Sequence, residues 1–284
     1  MPPDATLSSR PHVVRYRVLD PVRGNPVYEI NVDSTPEEIE SLVKAGYFIR
    51  QGWFSDEEIH AMRVALDRIA VEETDRSSED PASNCGGARY LRFLMDKDEV
   101  FLNLLYFEPA LSIAQAVLGP LVRFDQVDGR YWVPEAERQH VGWHIHLRAV
   151  PVPMPAFFSY PHAVHFLLYL DEVNDRNGPL CVLPGSHRRN GDIYELSSTS
   201  DMPGQQILPV SAGDCVVMHA NLWHRSLPHI DRNRPRRVLV FGYMPAWMTG
   251  DEAGGLKPAR RITEELRMHG DDRTRALLGE FYWG

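Results

Sequence analysis

A chain of 284 residues with 43% hydrophobic and 24% charged residues has the composition of a globular protein, and large β-barrels or sandwiches reach this length as one unit. Its formal net charge of -9 argues against a nucleic-acid or anionic-membrane surface, so small molecules are the expected partners. No stretch approaches the ~20 consecutive apolar residues that span a bilayer, and the N-terminus shows no basic patch followed by an apolar run. Three cysteines, Cys85, Cys181 and Cys215, are widely spaced and form no CxxC pair, which suits a reducing, cytoplasmic setting with each thiol as a small buried apolar group.

Residues 1-33 mix Pro, Arg and β-branched residues without a helical period and read as an N-terminal arm that adds a strand. From Ser34-Thr35-Pro36-Glu37-Glu38 the signals change to a cap, a Pro at the first helical position and acidic residues in the first turn. Ile39, Leu42 and Val43 form the apolar side of that helix. Gly46-Tyr47-Phe48-Ile49-Arg50 predicts a short strand, and Ser55-Asp56-Glu57-Glu58 caps a second helix with Ile59, Met62, Leu66 and Ile69 at helical spacing. Asp75 to Gly87 is polar and reads as a loop. Asp98 to Leu118 is helical, broken at Glu108-Pro109 and stopped by Gly119-Pro120.

After residue 120 the pattern turns to strands. Leu121 to Val127, Arg130 to Val133, Ala163 to Leu170, Leu180 to Leu183, Gln206 to Val210, Cys215 to Met218 and Arg237 to Tyr243 are β-like and separated by Gly, Pro, Asn and Asp clusters. Such a series predicts a barrel or two-sheet sandwich, mainly β with flanking helices. The tail returns to helix from Pro258, with Ile262, Leu266, Leu277 and Leu278 as packing residues. We divide one domain over 1-284 into the arm at 1-33, a mainly helical part at 34-120, a β core at 121-245 and a C-terminal helical tail at 246-284.

The chemistry centres on Gly142-Trp143-His144-Ile145-His146. In an extended segment residues i and i+2 point to one side, so His144 and His146 can reach one ion. Imidazole is a common ligand for iron, zinc, copper and nickel, and Leu222-Trp223-His224-Arg225-Ser226 offers a third ring. His219 is the rival third ligand. His165 lies in an otherwise apolar strand and reads as a hydrogen-bonded interior histidine; His162 and His187 read as loop residues.

The order of Gly46-Tyr47-Phe48-Ile49, Trp143-His144-x-His146, Asn177-Gly178-Pro179-Leu180, Leu183-Pro184-Gly185-Ser186-His187, Gly213-Asp214, His224-x-Ser226 and Arg236-Arg237 resembles the phytanoyl-CoA dioxygenase family over about residues 35 to 245. The resemblance implies a double-stranded β-helix of the jelly-roll or cupin-like kind. It also implies an oxygenase using iron(II), 2-oxoglutarate and dioxygen to oxidise a C-H bond of a small, partly apolar metabolite. By the same resemblance His144, His146 and His224 hold the metal, His219 being left to packing. Arg236 with Ser226 would bind the distal carboxylate of 2-oxoglutarate, with Arg234 and Arg237 as rivals and Arg89 and Arg92 as further basic groups. An Arg suits that role because its planar, permanently charged fork gives a carboxylate two parallel donors.

This chain departs from the family at one place. The family motif is H-x-D, and His146 stands where the carboxylate would be. The exchange keeps a lone pair but removes one negative charge from the metal's surroundings, and a bulky imidazole fills the space that Ala or Gly opens for halide in halogenating relatives. Trp132, Trp143, Arg148 and Phe157 lie around the motif in sequence and are candidate pocket residues. Two alternatives stay open: a metalloenzyme of this fold that does not use 2-oxoglutarate, and a non-catalytic binding protein in which His146 marks a decayed site.

Overall fold

The computed structural model describes residues 12–19, 22–73, 89–125, 127–131, 139–146, 162–188, 198–231, 233–248 and 261–280. In chain order these form β1 (His12–Arg17), β2 (Val27–Val32), α1 (Pro36–Lys44), β3 (Tyr47–Arg50), α2 (Asp56–Glu72), β4 (Arg89–Leu91), α3 (Glu108–Leu118), β5 (Val122–Phe124) and β6 (Asp128–Tyr131). There follow β7 (Gln139–His144), β8 (Val164–Tyr169), β9 (Leu180–Val182), β10 (Gln206–Leu208), β11 (Cys215–His219), β12 (His224–His229), β13 (Arg237–Pro245), α4 (Arg261–His269) and α5 (Asp272–Leu277).

The helix starts obey their local sequences. Thr35 and Ser55 each cap their helix reciprocally with the Glu three residues on, Glu38 and Glu58, so that donors with no intrahelical partner are satisfied at both ends of each box. Pro109 opens α3 after a 3-10 segment at Glu99–Leu104, and Gly119 ends it at φ 97°, which only glycine adopts without strain. The arm differs from expectation in one respect: β1 and β2 pair with each other as an antiparallel hairpin and join neither main sheet. The anticipated Asp75 to Gly87 loop lies outside the described residues.

The core is a double-stranded β-helix. A large antiparallel sheet runs β3-β11-β8-β13-β6-β4 with β5 also on β13, and a smaller one runs β10-β9-β12-β7. Alternation along the large sheet sorts its side chains into two layers. Phe166, Leu168, Leu170, Cys215, Val217, Leu239, Phe241 and Tyr243 pack with Leu66, Ile69, Phe101, Leu111, Ile113 and Leu277 of the helical layer. Leu167, Tyr169, Val216, Met218 and Val238 face the other way and meet Leu180, Val182 and Leu208 of the small sheet. The second layer is the interior between the sheets, and every strand residue of matching parity points into it. Cys181 and Cys215 are buried free thiols, as expected of small apolar groups.

Candidate metal and co-substrate site

Parity places the three expected histidines on that interior. His224 opens β12 directly opposite His144 on β7 and opposite Val182 on β9, so all three side chains share the inner face. His146 follows two residues after His144, held by its backbone N–H donating to the Ala220 carbonyl at 3.0 Å. The ring centroids of His144 and His224 are 4.1 Å apart, those of His146 and His224 4.9 Å, and those of His144 and His146 5.5 Å. One nitrogen from each ring lies within 4.8 Å of the other two, the spacing of donors around one ion.

The second nitrogen of two of these rings is already committed. His144 Nδ1 contacts the Gly142 carbonyl at 2.9 Å and His224 Nδ1 the Leu222 carbonyl at 2.8 Å; a carbonyl only accepts, so each Nδ1 carries the proton and each Nε2 keeps its lone pair. Burial, reinforced by the neighbouring imidazoles and Arg130, pushes the pKa values of His146 and His224 well below the usual histidine value. Both rings are therefore neutral at pH 7, the form in which imidazole binds a metal.

His165 is closer to this centre than its sequence context suggests. Its ring stands edge-on to His146 at 4.4 Å, because its parity on β8 is that of Leu167 and Tyr169. Its cross-strand partner is Gly242, where a Cβ would come within 3.2 Å of His165 Nδ1 and 2.7 Å of the Val164 carbonyl. His219 belongs elsewhere: its Nδ1 accepts the Asn221 N–H at 3.0 Å and its ring packs on His187 at 4.7 Å, whose Nε2 in turn donates to the Val43 carbonyl. Burial lowers the His219 pKa to about 3.

The three rival arginines separate cleanly. Arg234 is exposed beside Asp231. Arg237 is fixed between Asp67 at 2.7 Å and Asp171 at 2.7 Å, on the side of the sheet that meets α2. Arg236 turns inward and is 5% exposed; its Nη1 donates to the Gly178 carbonyl and its Nε has no partner among the described residues. Gly178, at φ 76°, is needed for this close approach, since a Cβ there would lie 3.0 Å from the guanidinium carbon. Ser226 shares the inner face with His224, opposite Leu180. Arg236 is a cation shielded from water, near a like charge on Arg130 and with an idle donor, an arrangement that an anion would relieve.

Of the expected pocket residues, Trp132, Arg148 and Phe157 lie outside the described residues. Trp143 is a correction. Adjacent to His144 on an extended strand, it must face the opposite side, where it is completely buried with Cys181, Leu183 and Trp223. Its Nε1 donates to the Ser200 carbonyl at 2.8 Å and Arg225 stacks over its ring at 5.0 Å. It anchors the outer side of the small sheet. Arg89 likewise turns to the Ala70 carbonyl at 2.6 Å, away from the interior.

Sequence reasoning missed Tyr90, Asp128 and Arg130. In the register of the large sheet Tyr90 pairs with Arg130, Arg130 with Val238 and Asp128 with Val240, so all three project into the interior. The signal was available only as parity: once β6 and β13 are aligned, a short polar strand reading Asp-Gly-Arg-Tyr must turn its Asp and Arg to one side.

Two sheets enclosing three convergent imidazoles and an inward arginine make a double-stranded β-helix with a candidate metal site in its interior. The chain matches the family Phytanoyl-CoA dioxygenase (PhyH) over residues 42–238, more than half of its length, and belongs to that family. It is 25% identical over 160 residues to an ectoine dioxygenase of Bordetella parapertussis, covering 54% of this chain and 49% of that protein. It is 28% identical over 153 residues to an L-proline trans-4-hydroxylase of Streptomyces griseoviridis, covering 48% and 52%. The chain thus spans about half the length of the curated relatives it matches. Among solved structures, HygX from Streptomyces hygroscopicus, with nickel, 2-oxoglutarate and hygromycin B bound, superposes with a TM-score of 0.61 at 19% identity, covering 76% of this chain and 89% of that one. That likeness establishes the fold.

Proposed function

We propose that this protein is an iron(II)- and 2-oxoglutarate-dependent oxygenase with a three-histidine metal centre, acting on a C-H bond of a small, partly apolar metabolite. The observation that carries the reading is the combination of three convergent imidazoles with the buried, partly unsatisfied Arg236 on the same interior face. The residues fit the groups the family uses. His144, His146 and His224 would hold the metal through three nitrogen donors, and Arg236, with Ser226 beside it in register, would take the distal carboxylate of 2-oxoglutarate.

When bound, iron with 2-oxoglutarate and dioxygen supplies the oxidising power for C-H bond cleavage, with release of succinate and carbon dioxide. The chain's own groups bind, orient and exclude water. The Gly142 and Leu222 carbonyls hold two rings in the ligating tautomer, and Leu167, Tyr169, Val216 and Val238 keep the enclosed space apolar. Because no carboxylate stands among the three donors, metal affinity depends on imidazole basicity alone and weakens as protons compete for the same nitrogens.

The test is anaerobic titration of metal-free protein with iron(II) and then 2-oxoglutarate, following the visible charge-transfer band of the chelate. A band that needs both components and is lost in Arg236→Met supports the reading. Retention of iron without a band overturns the use of 2-oxoglutarate, and failure to bind iron overturns the metal centre.

A further inference from the structure

Arg130 has no role in the machinery above, yet it faces the same interior. It lies on β6 opposite Val238, and its guanidinium carbon sits 3.9 Å from the centroid of the Tyr90 ring, on which it stacks. Arg92 covers the same ring at 5.3 Å. Arg130 makes no ion pair among the described residues, and its Nη1 is buried without a hydrogen-bond partner among them. Its charge lowers the pKa values of His146, His224 and Arg236, so it lies near enough to act on both the imidazole cluster and Arg236.

The carboxyl group nearest to it is shared. Asp128 accepts the Phe93 N–H at 2.9 Å and a bond from Tyr90, and it interacts with both Arg92 and Arg130, so one carboxyl group serves two guanidiniums. His146 sharpens the imbalance. In a site with two imidazoles and one carboxylate, that carboxylate and dianionic 2-oxoglutarate together cancel a divalent metal and one arginine. Here the carboxylate is replaced by a neutral ring, leaving one positive charge uncompensated, and beside it Arg130 shares Asp128 with Arg92 and keeps an idle buried donor at Nη1. That imbalance inside a largely apolar enclosure is costly, and an anion entering the site offsets the cost.

We propose that the substrate of this protein carries a carboxylate, and that Arg130, held over the Tyr90 ring, is the group that receives it. The fixed plane of the guanidinium presents a two-donor fork to a carboxylate, which a freely rotating Lys would not. The carboxylate end is then pinned at β6 while the carbon chain extends across the interior toward the three histidines, along the wall formed by Val238 and Val240. This deepens the proposed function and rests on it.

The experiment is isothermal titration of the full chain loaded with nickel(II) and saturating 2-oxoglutarate, in carboxylate-free buffer, using acetate and benzoate as probes and acetamide and benzamide as neutral controls. The acids should bind and the amides should not. Arg130→Gln should weaken acid binding about tenfold or more while 2-oxoglutarate affinity stays within a few-fold of wild type. Arg130→Lys should recover only part of the loss, and Tyr90→Leu should weaken the acids with circular dichroism unchanged. Absence of acid binding to wild type, equal binding of the amides, or an Arg130→Gln protein that still binds the acids overturns the inference. If Arg130→Gln loses 2-oxoglutarate instead, Arg130 serves the co-substrate and the inference is also overturned. A wild-type protein that binds nickel but not 2-oxoglutarate overturns the proposed function itself, which is a separate result.

Discussion

Arg236 and Arg237 are neighbours in sequence with opposite physical situations, and replacing each by Met separates them. Arg237 satisfies Asp171, whose side chain is 11% exposed, and also reaches the more exposed Asp67. Removing it leaves the Asp171 carboxylate with Arg63 at 3.4 Å and the backbone N–H of residue 237 as its partners, so a loss near the lower end of about 3–5 kcal/mol of stability is expected. Arg236 is equally hidden but has no acidic partner among the described residues, only the Gly178 carbonyl. Replacing a buried charge by an apolar side chain of similar volume contributes about 1–4 kcal/mol, and leaving the Gly178 carbonyl without its donor costs about 1–3 kcal/mol. The two nearly cancel, so Arg236→Met should unfold within about 1 kcal/mol of wild type in the metal-free state. Its co-substrate binding should suffer far more. Loss of one buried charge-assisted partner costs about 2–5 kcal/mol, which is roughly 30- to 5000-fold in affinity. The assay is urea unfolding of both variants with and without nickel(II) and 2-oxoglutarate. At ~100 times its wild-type dissociation constant the co-substrate should add about 2.7 kcal/mol to wild type and to surviving Arg237→Met, and less than about 1 kcal/mol to Arg236→Met. An Arg236→Met protein that is as destabilised as Arg237→Met and still gains stability from 2-oxoglutarate would refute the reasoning.

Three further outcomes follow from the geometry. His224→Ala should abolish tight iron(II) binding measured by equilibrium dialysis, because it removes the donor that both other rings face; retained stoichiometric iron would place the centre elsewhere. Trp143→Ala should cost about 3–5 kcal/mol in urea unfolding, since it empties a fully buried position, while the folded fraction keeps wild-type affinity for nickel(II) and 2-oxoglutarate. The metal-free protein should weaken in acid partly through His219. Its folded pKa of about 3 lies below the ordinary value of about 6.5, so the unfolded chain gains a proton that the native state refuses. That contribution is fully present above pH 6.5 and is lost at about 1.4 kcal/mol per pH unit below it, or about 2 kcal/mol by pH 5. His219→Gln should flatten the fall between pH 7.5 and 5 by that amount; an unchanged slope would show that His219 is protonated in the native state.

Much of the architecture was legible because the signals are local. Thr35-Pro36-x-Glu38 and Ser55-x-x-Glu58 specify helix starts by bonds within four residues, and both helices begin there. The strand runs were readable from β-branched content, with Ala163 to Leu170 narrowing to β8 and Arg237 to Tyr243 extending by two residues as β13. The three histidines were legible for a mixed reason. His144 and His146 share a side by strand alternation, a local rule, whereas His224 was reached through motif order and is joined to them only by the β7–β12 pairing.

What the amino-acid order determined by itself was therefore most of the helices and strands, the presence of metal-donor types and the departure at His146. What only the tertiary structure decided was which side of each strand is the inside. A single step of register turns Trp143 from a pocket residue into an outer anchor, sends Arg236 inward and Arg237 to its carboxylates, and brings Arg130 and His165 to the centre. The reason is physical: side chains alternate every residue along a strand, so the chain lists the candidates for both faces together, and the pairing of strands far apart in sequence selects between them.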